Sequence, residues 1–483
     1  MSLKSDRKTF ARPPESFGPR IVWRWNDALD EAALVAQLNA FADGGIGHVL
    51  IRASEGLPRD AYLSDAWFEA LAAVLKRAKK RSVSVWLHAE YAWPATGAGT
   101  RAPLEYGATF LEPVRFTIAR EHVGPDFASE YVAAFMSDAT GWEFPAPRYF
   151  PILFDTRAED FIGTKVLAFR AGRDARSFNC LNSEAAAHFI DATFERYSKR
   201  LKRMLATVSG FYVTGISLPS DTGRIAWDPD LPVFFRETRG YDLLPYLPSL
   251  LVETPDHRRV RSDYWALVAE MLREGAVLPL RTWCARHKVG FAVESCGDRV
   301  LVDTIRETGA PIVEHGGGTT VCIEISGASP AVFRARQGRR VNVKEAASAL
   351  NQLGGGGPLA SLYRHGGPGV SVEQTFRDSV ECSMLGAAGV VWDGAPHSLR
   401  GDRKIENVPA IGPHQPHWKF SGGLIEAAAR ASWLLSRGYR ACPVLLLHPL
   451  SSLQATTGAM SDKEVVGGMS VPELLARHFA LLS

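Results

Sequence analysis

The chain has 483 residues and a net charge of +3, too long for one small core and too evenly balanced to suggest a nucleic-acid partner. Hydrophobic residues make up 46% and charged residues 22%, the proportions of an ordinary soluble globular protein. The longest apolar runs, such as PVLLLHPL, fall far short of a membrane span, so no membrane partner is expected.

Residues 1–20 form an N-terminal extension without the apolar core of a signal peptide, which points to a cytoplasmic protein. RIVWRWND (20–27) reads as a first strand. It leads into DEAALVAQLNAFADGG, where Leu34, Val35, Leu38 and Phe41 share one helical face and Gly44 and Gly45 stop the helix. HVLIRA (48–53) is the second strand, followed by a helix over roughly 64–80, and SVSVWLHAE (82–90) is the third. Residues 101–180 carry their own β-like runs, RFTIAREH, RYFPILFD and KVLAFRA, and predict a small β-rich insertion after strand three. A helix follows, with Phe189, Ile190, Phe194, Tyr197, Leu201 and Met204 at 3-4 spacing. The basic runs KRAKK (76–80) and KRLKR (199–203) fall late in helical patterns, where a solvated face accounts for them. GFYVTGIS (210–217), VGFAVESC (289–296), RRVNVKEA (339–346) and GVVWDG (389–394) continue the strands, with either PIVEHGG or VCIEISG as the remaining one. A last helix near 422–437 precedes RACPVLLLHPL, which looks like the start of a C-terminal α/β unit.

Strand and helix alternating about eight times, with no glycine-rich dinucleotide fingerprint, predict a (β/α)8 TIM-like barrel over 21–438, with the insertion at about 101–180 and an incomplete α/β segment at 439–483. The six cysteines, Cys180, Cys284, Cys296, Cys322, Cys382 and Cys442, form no CxxC pair, which argues against a zinc ribbon or redox motif.

In such a barrel the chemistry gathers at the C-terminal ends of the strands. Those ends carry Trp25 and Asn26, Arg52, His88 and Glu90, Glu294, Glu345 and Asp393. For any single carboxylate, pairing with Arg or Lys or pointing into water is at least as good an explanation as function. Four at one rim are harder to explain by stability, because desolvating an unpaired charge costs several kcal/mol, on the order of the buried-ion penalty. Two carboxyls facing one pocket are what glycoside hydrolysis needs: one protonates the leaving oxygen, the other activates water or attacks the anomeric carbon. Trp93 can pack against a sugar's apolar face, and Asn26, His88 and His397 can hydrogen-bond its hydroxyls. HGGG (315–318) resembles an oxyanion-loop motif, a weak signal without an accompanying G-x-S-x-G elbow, and GGGG (354–357) lacks the following Lys-Ser/Thr of a phosphate loop, so nucleotide binding is not supported.

Several segments resemble the α-L-rhamnosidases of glycoside hydrolase family 106, in that family's order, from about residue 21 to 453. They are LHAEYAWPATGAGT, LNSEAAAHFIDATFERYSKRL, FFRETRGYDLLPYLPSLL, HSLRGDRKIENVPAIGPHQPHWKF and LLLHPLSS. The resemblance implies a barrel that inverts terminal L-rhamnosides, with a carbohydrate substrate, no required cofactor and calcium near the site in some members. It aligns Glu90 with the family's strand-three Glu, Trp93 and Pro94 with its Trp-Pro, Glu345 with a strand-seven Glu that serves here as candidate general base, and His397, Arg400 and Gly401 with its barrel-closing segment. Strand four departs from the pattern: FYVTGISLP has Gly215 and Ile216 where relatives read Asp and Glu. Asp221 or Glu294 is then the candidate acid. Three readings follow: a glycosidase with a relocated acid, a catalytically impaired carbohydrate-binding relative, or a sugar lyase or isomerase on the same barrel. The oligomeric state and any metal ligands are not legible.

Overall fold

The computed structural model describes residues 3–91, 104–119, 130–137, 149–151, 162–213, 216, 218, 224–295, 319–324, 347, 359–362, 372–403 and 411–437, with isolated positions beyond 450. Helix α1 (Leu3–Ala11) precedes strand β1 (Arg20–Trp25), helix α2 (Glu31–Asp43), strand β2 (His48–Ala53), helix α3 (Asp65–Lys80) and strand β3 (Ser84–Tyr91). Asp30 starts α2 by accepting from the Ala33 amide at 3.0 Å, and Ser64 starts α3 by accepting from the Trp67 amide at 3.2 Å. Leu34, Leu38 and Phe41 of α2 and Trp67, Leu71, Val74 and Leu75 of α3 are buried, so each apolar stripe faces the sheet.

The chain then forms β4 (Gly107–Thr117), β5 (Ala133–Ser137), β6 (Tyr149–Pro151) and β7 (Lys165–Phe178) before returning through α4 (Ser183–Phe189) and α5 (Arg196–Leu201) to β8 (Val208–Val213). Strand β9 (Ile225–Ala226) follows β8 and joins the excursion, giving an antiparallel five-stranded sheet ordered β6-β5-β7-β4-β9. The β-rich part is therefore not confined to 101–180: it recruits a strand from beyond the fourth barrel strand. A buried polar knot fastens it, in which Asp228 accepts from Asn179 Nδ2 at 2.6 Å and from the Asp230 amide at 2.9 Å.

Helices α6 (Leu231–Arg239), α7 (His257–Leu272) and α8 (Leu278–Arg286) lead to β10 (Gly290–Ser295), β11 (Thr319–Glu324) and β12 (Leu359–Leu362). Helix α9 (Val372–Met384), β13 (Gly389–Pro396) and α10 (Gly422–Leu435) follow. Eight parallel strands pair in the order β1-β2-β3-β8-β10-β11-β12-β13, and β13 pairs back onto β1, closing the sheet. Strand β11 takes its residues from TTVCIE, which resolves the choice between PIVEHGG and VCIEISG. The strand between β11 and β13 is Leu359–Leu362, and the strand expected at 339–346 lies outside the described residues. The Val-rich alternation of RRVNVKEA outweighed LASL, a four-residue run with no β-branched side chain. Among the described residues, no helix is long and apolar enough to cross a membrane.

Inside the sheet, Val22, Leu50, Tyr212, Ala292 and Val391 form a separate small core with Trp86 packed against it. Trp86 fits because β8 and β10 offer Gly210 and Gly290 opposite its ring: a Cβ on either would come within 2.6 Å of its Cη2 atom. Gly290→Ala is expected to lower stability by about 1–3 kcal/mol, the range for overpacking a filled core, read as a shifted urea midpoint at unchanged slope. An unshifted midpoint would show that the indole has room to move.

Candidate active site

Two irregularities mark the C-terminal ends of the strands. Between β2 and β3, Ile51 pairs with Leu87 and Ala53 pairs with Tyr91, so Arg52 alone opposes His88, Ala89 and Glu90. Between β1 and β13, Val22 pairs with Asp393 but Trp23 pairs with Ala395, which leaves Gly394 as an extra residue at φ +120°. Bulges re-aim side chains where a strand ends, and a residue at such a φ is normally glycine.

Asp393 is the centre of the first cluster. Its Oδ1 accepts from Arg24 Nε at 2.8 Å and lies 2.8 Å from Arg24 Nη2, while its Oδ2 is 3.7 Å from Arg52 Nη1. All three side chains are buried, so the aspartate predicted to grip substrate sits in a tight ion pair with two guanidiniums. Arg24 was not singled out from sequence. The alternation in RIVWRW, which sets Arg24 on the same face as Val22, is the signal that finds it.

His88 and Glu90 form the second cluster, on β3. Both are buried, and His88 Nε2 lies 3.6 Å from Glu90 Oε2 while His88 Nδ1 is 3.0 Å from the Glu90 carbonyl oxygen. The imidazole also faces the Tyr212 ring, at 5.5 Å between centroids. Burial first, and then the charge of Arg52, push the His88 pKa down to about 3, so the ring is neutral at ordinary pH. A neutral imidazole can serve a sugar hydroxyl as donor or acceptor, but it does not supply a cation to Glu90.

That depression has a consequence for stability. Below about pH 6.5 the unfolded chain takes up the His88 proton more readily than the folded one, so stability is complete above that value and is lost as the pH falls towards about 3. Burial and Arg20 push His48 down to about 4, in the same direction. Denaturation is expected to show a loss of about 2 kcal/mol per such histidine between about pH 7 and pH 5. His88→Gln should flatten that slope; an identical slope in the variant would refute the assignment.

The remaining candidates separate. Trp25 faces away from Arg24 into the layer between sheet and helices, 4.9 Å from Trp67 and 5.5 Å from Trp23 between ring centroids, and is a core residue. Its place at the end of strand one made it a candidate substrate-binding residue, and that reading is corrected: strand alternation sends it outward. Asn26 is likewise structural. Its Nδ2 donates to the Ser398 carbonyl and its Oδ1 accepts from the Ser398 amide, each at 2.9 Å, fastening the chain after β13 to β1. The His397 amide donates to the Arg24 carbonyl at 2.7 Å, and its Nδ1 lies 3.2 Å from Gln37 Oε1. Burial is the main cause lowering the His397 pKa. Arg400 is exposed, and its amide donates to Ser398 Oγ at 3.2 Å. Glu294 stands near the end of β10, paired with Cys322 of β11. Trp93, Asp221 and Glu345 lie outside the described residues. Among the described residues, no group of three or more His, Cys, Asp or Glu side chains could hold a metal ion.

No protein-family model matches the sequence, and neither does any curated protein. The structure is similar to the rhamnosidase from Novosphingobium sp. PP1Y, at 14% identity and a TM-score of 0.63, over 89% of this chain and 60% of that one. It is also similar to the cold-adapted β-galactosidase from Rahnella sp. R3, at 10% identity and a TM-score of 0.58, over 98% of this chain and 64% of that one. A third similar structure is Gan42B, a GH42 β-galactosidase from G. stearothermophilus, at 10% identity and a TM-score of 0.54, over 96% and 64%. The chain thus spans about 60–64% of the length of these proteins. At these identities the likeness is one of fold alone.

Proposed function

We propose that the chain is a glycoside hydrolase acting on terminal α-L-rhamnosides or a related deoxy sugar. The observation that carries this reading is the gathering of Arg24, Arg52, His88, Glu90, Tyr212 and Asp393 at or near the C-terminal ends of adjacent parallel strands, in a fold similar to that of a rhamnosidase. In this reading Glu345 is the general base, Glu294 or Asp221 the acid, and His88, Glu90, Trp93, His397 and Arg400 line the sugar site. The Asp393 clamp fixes the arginines of β1 and β2, while neutral His88 and the Glu90 carboxyl offer the polar atoms that orient sugar hydroxyls. The test is hydrolysis of an aryl α-L-rhamnoside, with product configuration followed by NMR. Inverted rhamnose supports the reading, and no release at high enzyme concentration sinks it.

A second reading, a carbohydrate-binding relative without turnover, is favoured by one residue. Ile216, where the resemblance leads one to expect a carboxylate, is buried among apolar side chains. Under that reading L-rhamnose raises the melting temperature with no product formed.

A further inference from the structure

Helix α2 carries a polar side chain on its buried face. Leu34, Gln37, Leu38 and Phe41 are buried together. An amide in an apolar stripe costs free energy unless its oxygen and nitrogen both find partners. Gln37 finds them at the seam where β13 closes onto β1. Trp23 Nε1 of β1 donates to Gln37 Oε1 at 2.8 Å, and Gln37 Nε2 donates to the Pro396 carbonyl oxygen of β13 at 2.9 Å.

These two partners leave the amide one orientation. An indole N–H only donates and a carbonyl oxygen only accepts, so the Gln37 oxygen faces Trp23 and its nitrogen faces Pro396. The same oxygen lies 3.2 Å from His397 Nδ1. An amide oxygen only accepts, so the nitrogen facing it carries the hydrogen, and that nitrogen is Nδ1. Burial lowers the His397 pKa more than the charges of Asp27 and Asp30 raise it, so above neutral pH the ring holds one proton and not two. Nε2 then presents a lone pair. The backbone of His397 is held as well: its amide donates to the Arg24 carbonyl at 2.7 Å, and His414 Nε2 lies 3.1 Å from its carbonyl oxygen.

We propose that Gln37 is a positioning residue: it accepts from Trp23 and His397 together, fixes the His397 proton on Nδ1 and so makes Nε2 an acceptor for a sugar hydroxyl. The hydroxyl as occupant rests on the function proposed above; the fixed tautomer does not. The charged and titratable groups acting on the ring are Asp27 after β1, Asp30 at the start of α2, and Arg400 and His414 on the chain after β13.

With histidine ¹⁵N-labelled in the ring, long-range proton–nitrogen spectra at mildly alkaline pH show which nitrogen carries the hydrogen. The His397 signals are identified by their loss in His397→Gln. Wild type is expected to show a protonated Nδ1 and a bare Nε2. Gln37→Met keeps the side-chain length and removes the acceptor, so the hydrogen should pass at least in part to Nε2. Gln37→Glu should restore the wild-type pattern: a protonated carboxyl accepts through one oxygen and donates to Pro396 through the other, and an ionised one still accepts. A protonated Nε2 in wild type, or an unchanged tautomer in Gln37→Met, overturns the proposal. The wild-type spectrum needs no variant, so a Gln37→Met chain that misfolds does not shield the proposal from refutation. If the tautomer is as expected and no aryl rhamnoside is cleaved, the hydrolase reading fails and the fixed proton stands. If rhamnoside is cleaved while Nε2 carries the hydrogen, the reverse holds. If both stand, Gln37→Met should raise KM for the aryl rhamnoside about three- to tenfold, the worth of one hydrogen bond, and Gln37→Glu should recover it. An unchanged KM overturns the role of Nε2 as acceptor for the sugar.

Discussion

Replacing Asp393 with asparagine is expected to lower folding stability by about 3–5 kcal/mol, the range for removing one partner from a buried ion pair. The variant keeps the shape of the side chain but leaves Arg24 and Arg52, at 8% and 6% exposure, without the carboxylate that both approach. The coupled variant decides the cause. Adding Arg24→Met to Asp393→Asn removes the guanidinium that makes the two 2.8 Å contacts, so part of the loss should return. Urea denaturation of the two single variants and the double variant measures this. If Asp393→Asn is as stable as wild type, the clamp contributes nothing and the strand ends are held by packing alone.

Under the proposed function, Glu345→Gln is expected to lower kcat on an aryl rhamnoside by about 10²–10⁴, the usual contribution of general acid–base assistance. An amide cannot take the proton of the attacking water, while its size and polarity preserve sugar contacts, so KM should change little. The choice of substrate sharpens the test. An aryl leaving group departs with little protonation, so it isolates the base even if the acid of strand four has been lost. An alkyl rhamnoside needs the acid and should be turned over slowly by wild type if Ile216 stands in its place. A Glu345→Gln enzyme with full activity would remove Glu345 from the chemistry.

Periodicity made the first three strands and helices α2 and α3 legible, because Leu34, Leu38 and Phe41, and then Trp67, Leu71 and Val74, return on one face at helical spacing and are buried there. Strand β12 was not legible: Leu359–Leu362 owes its place to neighbours on both sides and not to its own composition. The same holds for the site. Arg52, His88, Glu90 and Asp393 could be found by counting to the ends of strands. Trp25 and Asn26 were drawn in by the same count, but one faces the helices and the other ties down a loop. Bulges depend on how two distant strands meet, so neither the three residues of β3 opposite Arg52 nor the extra Gly394 can be read from local pattern. The neutrality of His88 is set by burial and by Arg52, which lies 36 positions earlier in the chain.

The indole of Trp86 lies against Gly210 and Gly290 and packs on the small core inside the sheet. The ring leans on two bare backbones, so a methyl at either position would have to displace it, and the two glycines together fix where the indole can lie.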